Sequence, residues 1–131
     1  LGMIHSMAHP LSSIYNIHHG LSNALLIKSC LDFTIKKAIK TDNKNLQLKL
    51  YKIGNILSSN TLKDILDIPY YIDTFMSTIR INGPLKIHGV KLKDLPLLSK
   101  LAFEDSCHNT HPFPVTQNDF TIVYKHALEG E

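Results

Sequence analysis

Residues 21–40, LSNALLIKSCLDFTIKKAIK, carry the pattern that decides the fold of this chain. Apolar side chains recur there with near-helical spacing, at Leu21, Leu25, Leu26, Cys30, Leu31 and Phe33. Such spacing gathers the apolar side chains on one face of an α-helix, which buries that face against other elements. We therefore predict a helix from Leu21 to about Lys40.

The chain before this helix is predicted to be helical only in part. Residues 1–9 are mostly apolar or small, and Pro10 follows them. Proline cannot donate to the helical hydrogen-bond ladder, so we expect a kink or an end at Pro10. Ser12, Ser13 and Asn16 then indicate a loop.

Helical patterns also follow the central helix. They predict a third helix with its apolar positions between 46 and 57, a fourth from Thr61 to about Ile81, a fifth over 92–106 and a last one to about Leu128. Capping boxes are expected at 61–64 and 116–119, and a kink or a break at Pro69. Turns are expected at 82–84 and 88–90, and irregular chain over 109–114. The fold class predicted is all-α, a bundle of about six helices without a sheet of consequence.

Composition limits the possible functions. The chain has 131 residues, 44% of them hydrophobic, and a formal net charge of +3. This balance is typical of one globular domain, here residues 1–131, and the small charge excess predicts no nucleic-acid partner. We expect no membrane span and no signal peptide. Cys30 and Cys107 are expected to be free thiols in a reducing compartment, and hence in the cytoplasm.

Histidines are concentrated at the start of the chain, where His5, His9, His18 and His19 fall within nineteen residues. His5 and His9 are four residues apart and share a face if the segment is helical. His18 and His19 are adjacent and point in different directions, so at most one can serve a site shared with His5. Two imidazoles make half of a metal site, and the spacing alone is equally compatible with surface or capping histidines.

Two segments at the start of the chain carry a family signature. Residues 2–11, GMIHSMAHPL, then 15–20, YNIHHG, then Asn23-Ala24, closely resemble the signature of iron-containing alcohol dehydrogenases. The group of lactaldehyde reductases and propanediol dehydrogenases is the nearest. Residues 85–90, 94–96, Ala102, Asp105 and 112–116 support the resemblance, which covers nearly all of the chain.

The resemblance implies both a fold and a site. It implies the helical carboxy-terminal domain of an enzyme that interconverts an alcohol with an aldehyde or ketone, using NAD(P) and iron or zinc. His5 and His19 correspond to metal ligands, and His9 to a catalytic residue close to substrate and nicotinamide, with His9 and His19 facing the cofactor. His9 would relay the alcohol proton or orient the nicotinamide. We also expect a homo-oligomer and a small alcohol or aldehyde as substrate.

Departures and missing parts qualify the resemblance. His18 stands where the family has Pro, and His111 and Phe113 where Asn and Arg are usual. The family's other two ligands, an Asp and a His, and its Gly-rich nucleotide-binding turn have no counterpart here. We therefore expect residues 1–131 to be a fragment that is inactive alone. Two alternatives stay open: a free-standing structural or interaction module with incidental histidines, and a self-contained metalloprotein using His5, His9, His19 and also His18.

Overall fold

The computed structural model describes residues 1–81 and 83–130, and within them all regular structure is helical. Six α-helices follow one another: α1 Gly2–Tyr15, α2 His19–Lys40, α3 Lys44–Leu57, α4 Ile68–Thr78, α5 Leu95–Glu104 and α6 Gln117–Glu129. Four short 3₁₀ turns join them, at Ile65–Asp67, Leu85–His88, Leu92–Asp94 and Ser106–Thr110. The prediction of an all-α bundle of about six helices is confirmed.

Helix α2 connects two hydrophobic cores. One core joins α1, α5 and α6 to the first half of α2, around the fully buried Met7, Leu26 and Tyr124. The other joins α3 and α4 to the second half of α2, around Ile35 and Ile68. At about 1.5 Å per residue a helix of 22 residues is roughly 33 Å long, enough to serve both cores.

The first helix runs through Pro10, so of the kink or end predicted there the end is wrong, and so is the loop predicted at Ser12 and Ser13. Helix α1 continues to Tyr15 and ends at Asn16, which adopts a left-handed conformation with φ 55°. Proline inside a helix costs about 3 kcal/mol or more. Burial of an apolar side chain such as Met7 or Leu11 contributes about 1.5–3 kcal/mol each, so packing on both sides of Pro10 offsets that loss.

The start of α4 also differs from the prediction. Thr61 opens no helix, since its hydroxyl donates to the Ser58 carbonyl at 2.6 Å. Asp64 instead accepts from Leu66 N at 2.9 Å and caps a 3₁₀ turn, and α4 runs only from Ile68 to Thr78. Of the kink or break predicted at Pro69, the break is observed: α4 begins at Ile68, so Pro69 lies in its first turn, where a missing N–H costs nothing.

Other local predictions agree with the structure to varying degrees. The capping box of Thr116 and Asp119 is confirmed at the start of α6. Helix α5 is shorter than expected, because 3₁₀ turns replace its two predicted ends. The turn at 88–90 is present with Gly89 at φ 87°. In the turn at 82–84, Asn82 lies outside the described residues, while Gly83 has φ 98°.

Candidate metal centre

Helix α1 places two of the candidate histidines side by side. His5 and His9 are one helical turn apart, and the opposite face of α1 buries Met3, Met7 and Leu11 in the core. Because side chains at i and i+4 lie on the same face of a helix, both imidazoles project from the same face of α1. His5 is partly buried, and the His9 side chain is 44% exposed.

The short connection from α1 to α2 separates the roles of the adjacent histidines. Asn16 turns the chain, Ile17 is buried, and His18 is the N-cap of α2. His18 Nδ1 accepts a hydrogen bond from Gly20 N at 3.2 Å, which satisfies one of the free amides at the helix start. His19 is the first residue of α2 and points towards α1. His18 thus caps a helix, as one interpretation of these histidines allowed.

Three imidazoles converge where α1 meets the start of α2. The ring centroids of His5 and His19 are 5.4 Å apart, with the rings inclined at 57°. His9 stacks on His19 with centroids 5.2 Å apart, and lies 6.3 Å from His5. The structure therefore brings together His5, His9 and His19, and leaves His18 at the helix cap.

The pair His5 and His19 has dimensions that suit a metal ion. Two imidazoles on one tetrahedral ion, each bound at its usual distance, have ring centroids roughly 5 Å apart. His5 Nδ1 lies 3.3 Å from the Leu1 carbonyl, which leaves Nε2 as the ligand nitrogen. Asn23 Nδ2 lies 3.1 Å from His19 Nε2, so a metal bound at that nitrogen would displace the amide. His5 and His19 thus suit two of the four ligand positions of a tetrahedral ion.

The carboxylate of Asp105, 96 residues from His9 in the sequence, lies beside the His9 ring. Asp105, which ends α5, places Oδ2 2.7 Å from His9 Nδ1. Its other oxygen, Oδ1, accepts from Cys107 N at 2.8 Å and from the hydroxyl of the buried Ser6 at 3.1 Å. Burial raises the pKa of Asp105, but the hydrogen bonds from His9, Cys107 and Ser6 outweigh it and hold that pKa well below its usual range.

Asp105 is the site residue that reasoning from spacing missed. It is separated from His9 by 96 residues, a distance at which no helical period carries information. Its only signal was its place in the supportive part of the family pattern. Within residues 1–81 and 83–130, the group of three metal-ligand side chains with ligand atoms within 4.8 Å of one another is His9, Asp105 and Cys107.

The two cysteines are free thiols, as expected. Cys30 is fully buried, and burial raises its pKa to about 12. The Cys107 thiol hydrogen-bonds to Asp105, and this bond, followed by partial burial, raises the pKa of Cys107. Neither thiol is therefore activated as a nucleophile, because a raised pKa reduces the thiolate fraction.

His111, one of the departures from the family pattern, lies at the start of α1. Its Nδ1 is 3.5 Å from Met3 N, and Gly2 N donates to Thr110 Oγ1 at 2.9 Å. These contacts supply acceptors to the first amides of α1. His111 thus supports the helix that carries His5 and His9. In the described part of the chain, no helix is both long enough and apolar enough to cross a membrane.

Comparison with known proteins agrees with the resemblance seen in the sequence. Residues 1–128 match the model of the Fe-containing alcohol dehydrogenase family, C-terminal part. Alcohol dehydrogenase 4 of Schizosaccharomyces pombe is 30% identical over 128 residues, which cover 98% of this chain and 29% of that protein. Lactaldehyde reductase of Escherichia coli (strain K12) is 27% identical over 137 residues, covering 97% of this chain and 32% of that enzyme.

Solved structures share the fold. An alcohol dehydrogenase from Oenococcus oeni superposes with a TM-score of 0.84 at 22% identity, over 97% of this chain and 32% of that chain. A 1,3-propanediol oxidoreductase superposes with a TM-score of 0.77, also at 22% identity. The chain thus spans about a third of the length of the proteins that it matches.

Proposed function

Because this chain belongs to the Fe-containing alcohol dehydrogenase family and corresponds to its C-terminal part, we propose that it forms the metal-binding part of an NAD(P)-dependent alcohol dehydrogenase. Such an enzyme interconverts a small alcohol with an aldehyde or ketone. The observation that carries the proposal is the convergence of His5, His9 and His19, with ring centroids between 5.2 and 6.3 Å apart.

We assign the metal-ligand roles to His5 and His19. Imidazole is a good ligand for iron and for zinc, and the separation of the two rings suits a shared ion. When bound, the metal supplies Lewis-acid polarisation of the substrate oxygen. The Leu1 carbonyl would orient His5, since an acceptor at one ring nitrogen leaves the other for the metal. The remaining ligands would come from a segment outside this chain.

His9 is assigned a role beside the metal. Its ring stacks on His19, yet its side chain is 44% exposed, so a substrate could reach it. With Nδ1 held by Asp105, the nitrogen left for substrate or nicotinamide is Nε2. A neutral imidazole there can accept the proton of an alcohol hydroxyl. We therefore assign to His9 either receipt of that proton or orientation of the nicotinamide.

The chain alone is expected to bind metal weakly and to lack dehydrogenase activity. Two imidazoles hold a divalent ion much less tightly than four preorganised ligands, because each missing ligand leaves a position to water. None of the chain's six glycines lies in a Gly-rich turn of the kind that binds dinucleotide phosphates. A longer enzyme containing this segment should bind both the metal and the dinucleotide. Calorimetric titration of the 131-residue chain with Zn²⁺ or Fe²⁺ tests the first expectation.

The ligand assignment is tested by metal analysis of that longer enzyme. We expect His5→Ala and His19→Ala to abolish metal retention, because each removes one of four ligands. His18→Ala is the matched control. It should cost α2 about 1 kcal/mol of capping but leave the metal in place. Loss of the metal from His18→Ala together with its retention in His19→Ala would show that the ligand register is wrong.

A further inference from the structure

We propose that Asp105 is a positioning residue for His9, holding the proton of the neutral imidazole on Nδ1 and leaving Nε2 free as an acceptor. This inference rests on the proposed function only for what His9 does to a substrate. The geometry is independent of that role, because His9 Nδ1 and Asp105 Oδ2 are 2.7 Å apart, the length of a charge-assisted hydrogen bond.

The first step is that the carboxylate is held in place. Ser6, three residues before His9 on α1, points its buried hydroxyl at Oδ1, and Cys107 N also donates to that oxygen. Ser6 on α1 and Cys107 in the 3₁₀ turn Ser106–Thr110 therefore hold Oδ1 of Asp105, which leaves Oδ2 for His9. Because donors on two elements hold the Asp105 carboxylate, it would stay in place if the His9 ring rotated.

The second step concerns the charge of Asp105. The hydrogen bonds around it outweigh its partial burial and keep its pKa below the usual range, so the group is an anion at neutral pH. An ionised carboxylate can only accept hydrogen bonds. The imidazole nitrogen that faces it must therefore carry the proton, and in the neutral ring the other nitrogen must then be bare.

The third step is that Nε2 is available to a ligand. Among the described residues we find no hydrogen-bond partner for His9 Nε2, and the side chain is 44% exposed. The ring also stacks on His19. An acceptor nitrogen next to the proposed metal ligands suits a substrate that presents a hydroxyl group. With the opposite tautomer, Nε2 would present a hydrogen to that hydroxyl and could not take its proton.

Asp105 also has a structural role, which the test must separate from positioning. It is the C-cap of α5 and the N-cap of the 3₁₀ turn Ser106–Thr110. Asp105→Asn preserves this role, since the amide oxygen can still accept from Ser6 and Cys107 N. Its NH₂ group would face His9 and donate to Nδ1. The substitution thus reverses the tautomer while it keeps the cap.

The experiment is ¹⁵N NMR of the 131-residue chain labelled at histidine, with a chelator present, at a pH of about 8, above the ordinary pKa of a free imidazole. His9→Asn identifies the resonances of His9. In the wild type we expect Nδ1 at the protonated position and Nε2 at the unprotonated one. In Asp105→Asn the two should exchange. Glu104→Gln removes the neighbouring carboxylate, which pairs with Lys100 at 3.8 Å, and should leave the His9 spectrum unchanged.

Thermal unfolding of each variant shows whether it remains folded. If Asp105→Asn does not fold, Asp105→Glu serves as the conservative variant. Asp105→Glu should then keep the proton on Nδ1. A wild-type spectrum with the proton on Nε2, or with both tautomers populated equally, would overturn the proposal. So would an Asp105→Asn spectrum identical to that of the wild type. The readout needs no metal, cofactor or turnover, so its failure would not be confused with failure of the proposed function.

Discussion

At the scale of single residues, adjacent histidines take different roles because a helix begins between them. His18 is the N-cap of α2, with φ −53° and ψ 135°, and its Nδ1 accepts from Gly20 N, whereas His19 already belongs to α2 and faces α1. Adjacent side chains at such a boundary diverge, as the sequence indicated. Which of the two joins His5 was implied only by the family resemblance.

Stability should depend on pH through His111. Burial of the ring, and next the charge of His108, lower the pKa of His111 from 6.5 to about 4. Below pH 6.5 the unfolded chain takes up a proton that the folded chain resists, so the free energy of unfolding falls as the pH falls from 6.5 to 4. His111→Asn keeps an acceptor for Met3 N without this titration.

Urea unfolding at several pH values measures the effect. The wild type should lose more stability than His111→Asn between neutral pH and pH 4, with the difference between the two proteins developing below pH 6.5. Parallel pH profiles for the two proteins would contradict this assignment. The comparison cancels the contributions of the other histidines, which both proteins share.

At the scale of helices, the second core depends on one glycine. Gly54 lies in α3 and is buried, and a Cβ atom there would come within 2.6 Å of Leu62 and 2.8 Å of Ile68. The sequence showed Gly54 only as an isolated glycine outside any Gly-rich turn. In the structure it lets α3 approach the segment that leads into α4. Its role is close packing.

Gly54→Ala should therefore destabilise the protein, although alanine is the better helix former. The added methyl group forces Leu62 and Ile68 aside, and such overpacking costs about 1–3 kcal/mol, whereas the gain in helix propensity is about 1 kcal/mol. Chemical denaturation followed by circular dichroism gives the change. Gly20→Ala is a matched control, because a Cβ there meets only His18 at 3.5 Å. Equal or greater stability of Gly54→Ala would refute the packing role.

At the scale of the whole molecule, much apolar surface faces solvent. Large side chains on α3 and α4 are among the most exposed, including Ile56 at 80%, Tyr70 at 69% and Phe75 at 51%. Exposed apolar side chains commonly mark an interface where they form a contiguous patch. The chain spans about a third of its relatives, so in a longer enzyme other segments would be available to cover part of it.

We predict that the isolated 131-residue chain associates with itself, with exchange of helices between copies as one route. Light scattering and sedimentation over a range of concentrations should show a mass that rises above that of the monomer. Ile56→Lys and Tyr70→Lys, at two of the most exposed of these positions, should weaken the association without unfolding the chain. A strictly monomeric species at high concentration would contradict the prediction.

The sequence by itself determined the features that depend on neighbours along the chain. Helical periodicity predicted six helices, the spacing of His5 and His9 placed them on one face, and Thr116 and Asp119 formed the expected capping box. Each of these depends on residues within about one turn of helix, whose geometry is common to all helices.

Only the tertiary structure decided the features that depend on packing between distant segments. Helix α1 passes through Pro10 because buried side chains on both sides of it outweigh a missing hydrogen bond. Asp105 meets His9 because α1 packs against α5 and the turn that follows it, across 96 residues of sequence. Local periodicity carries no information about such contacts, since they follow from the total burial that the whole chain achieves when it folds.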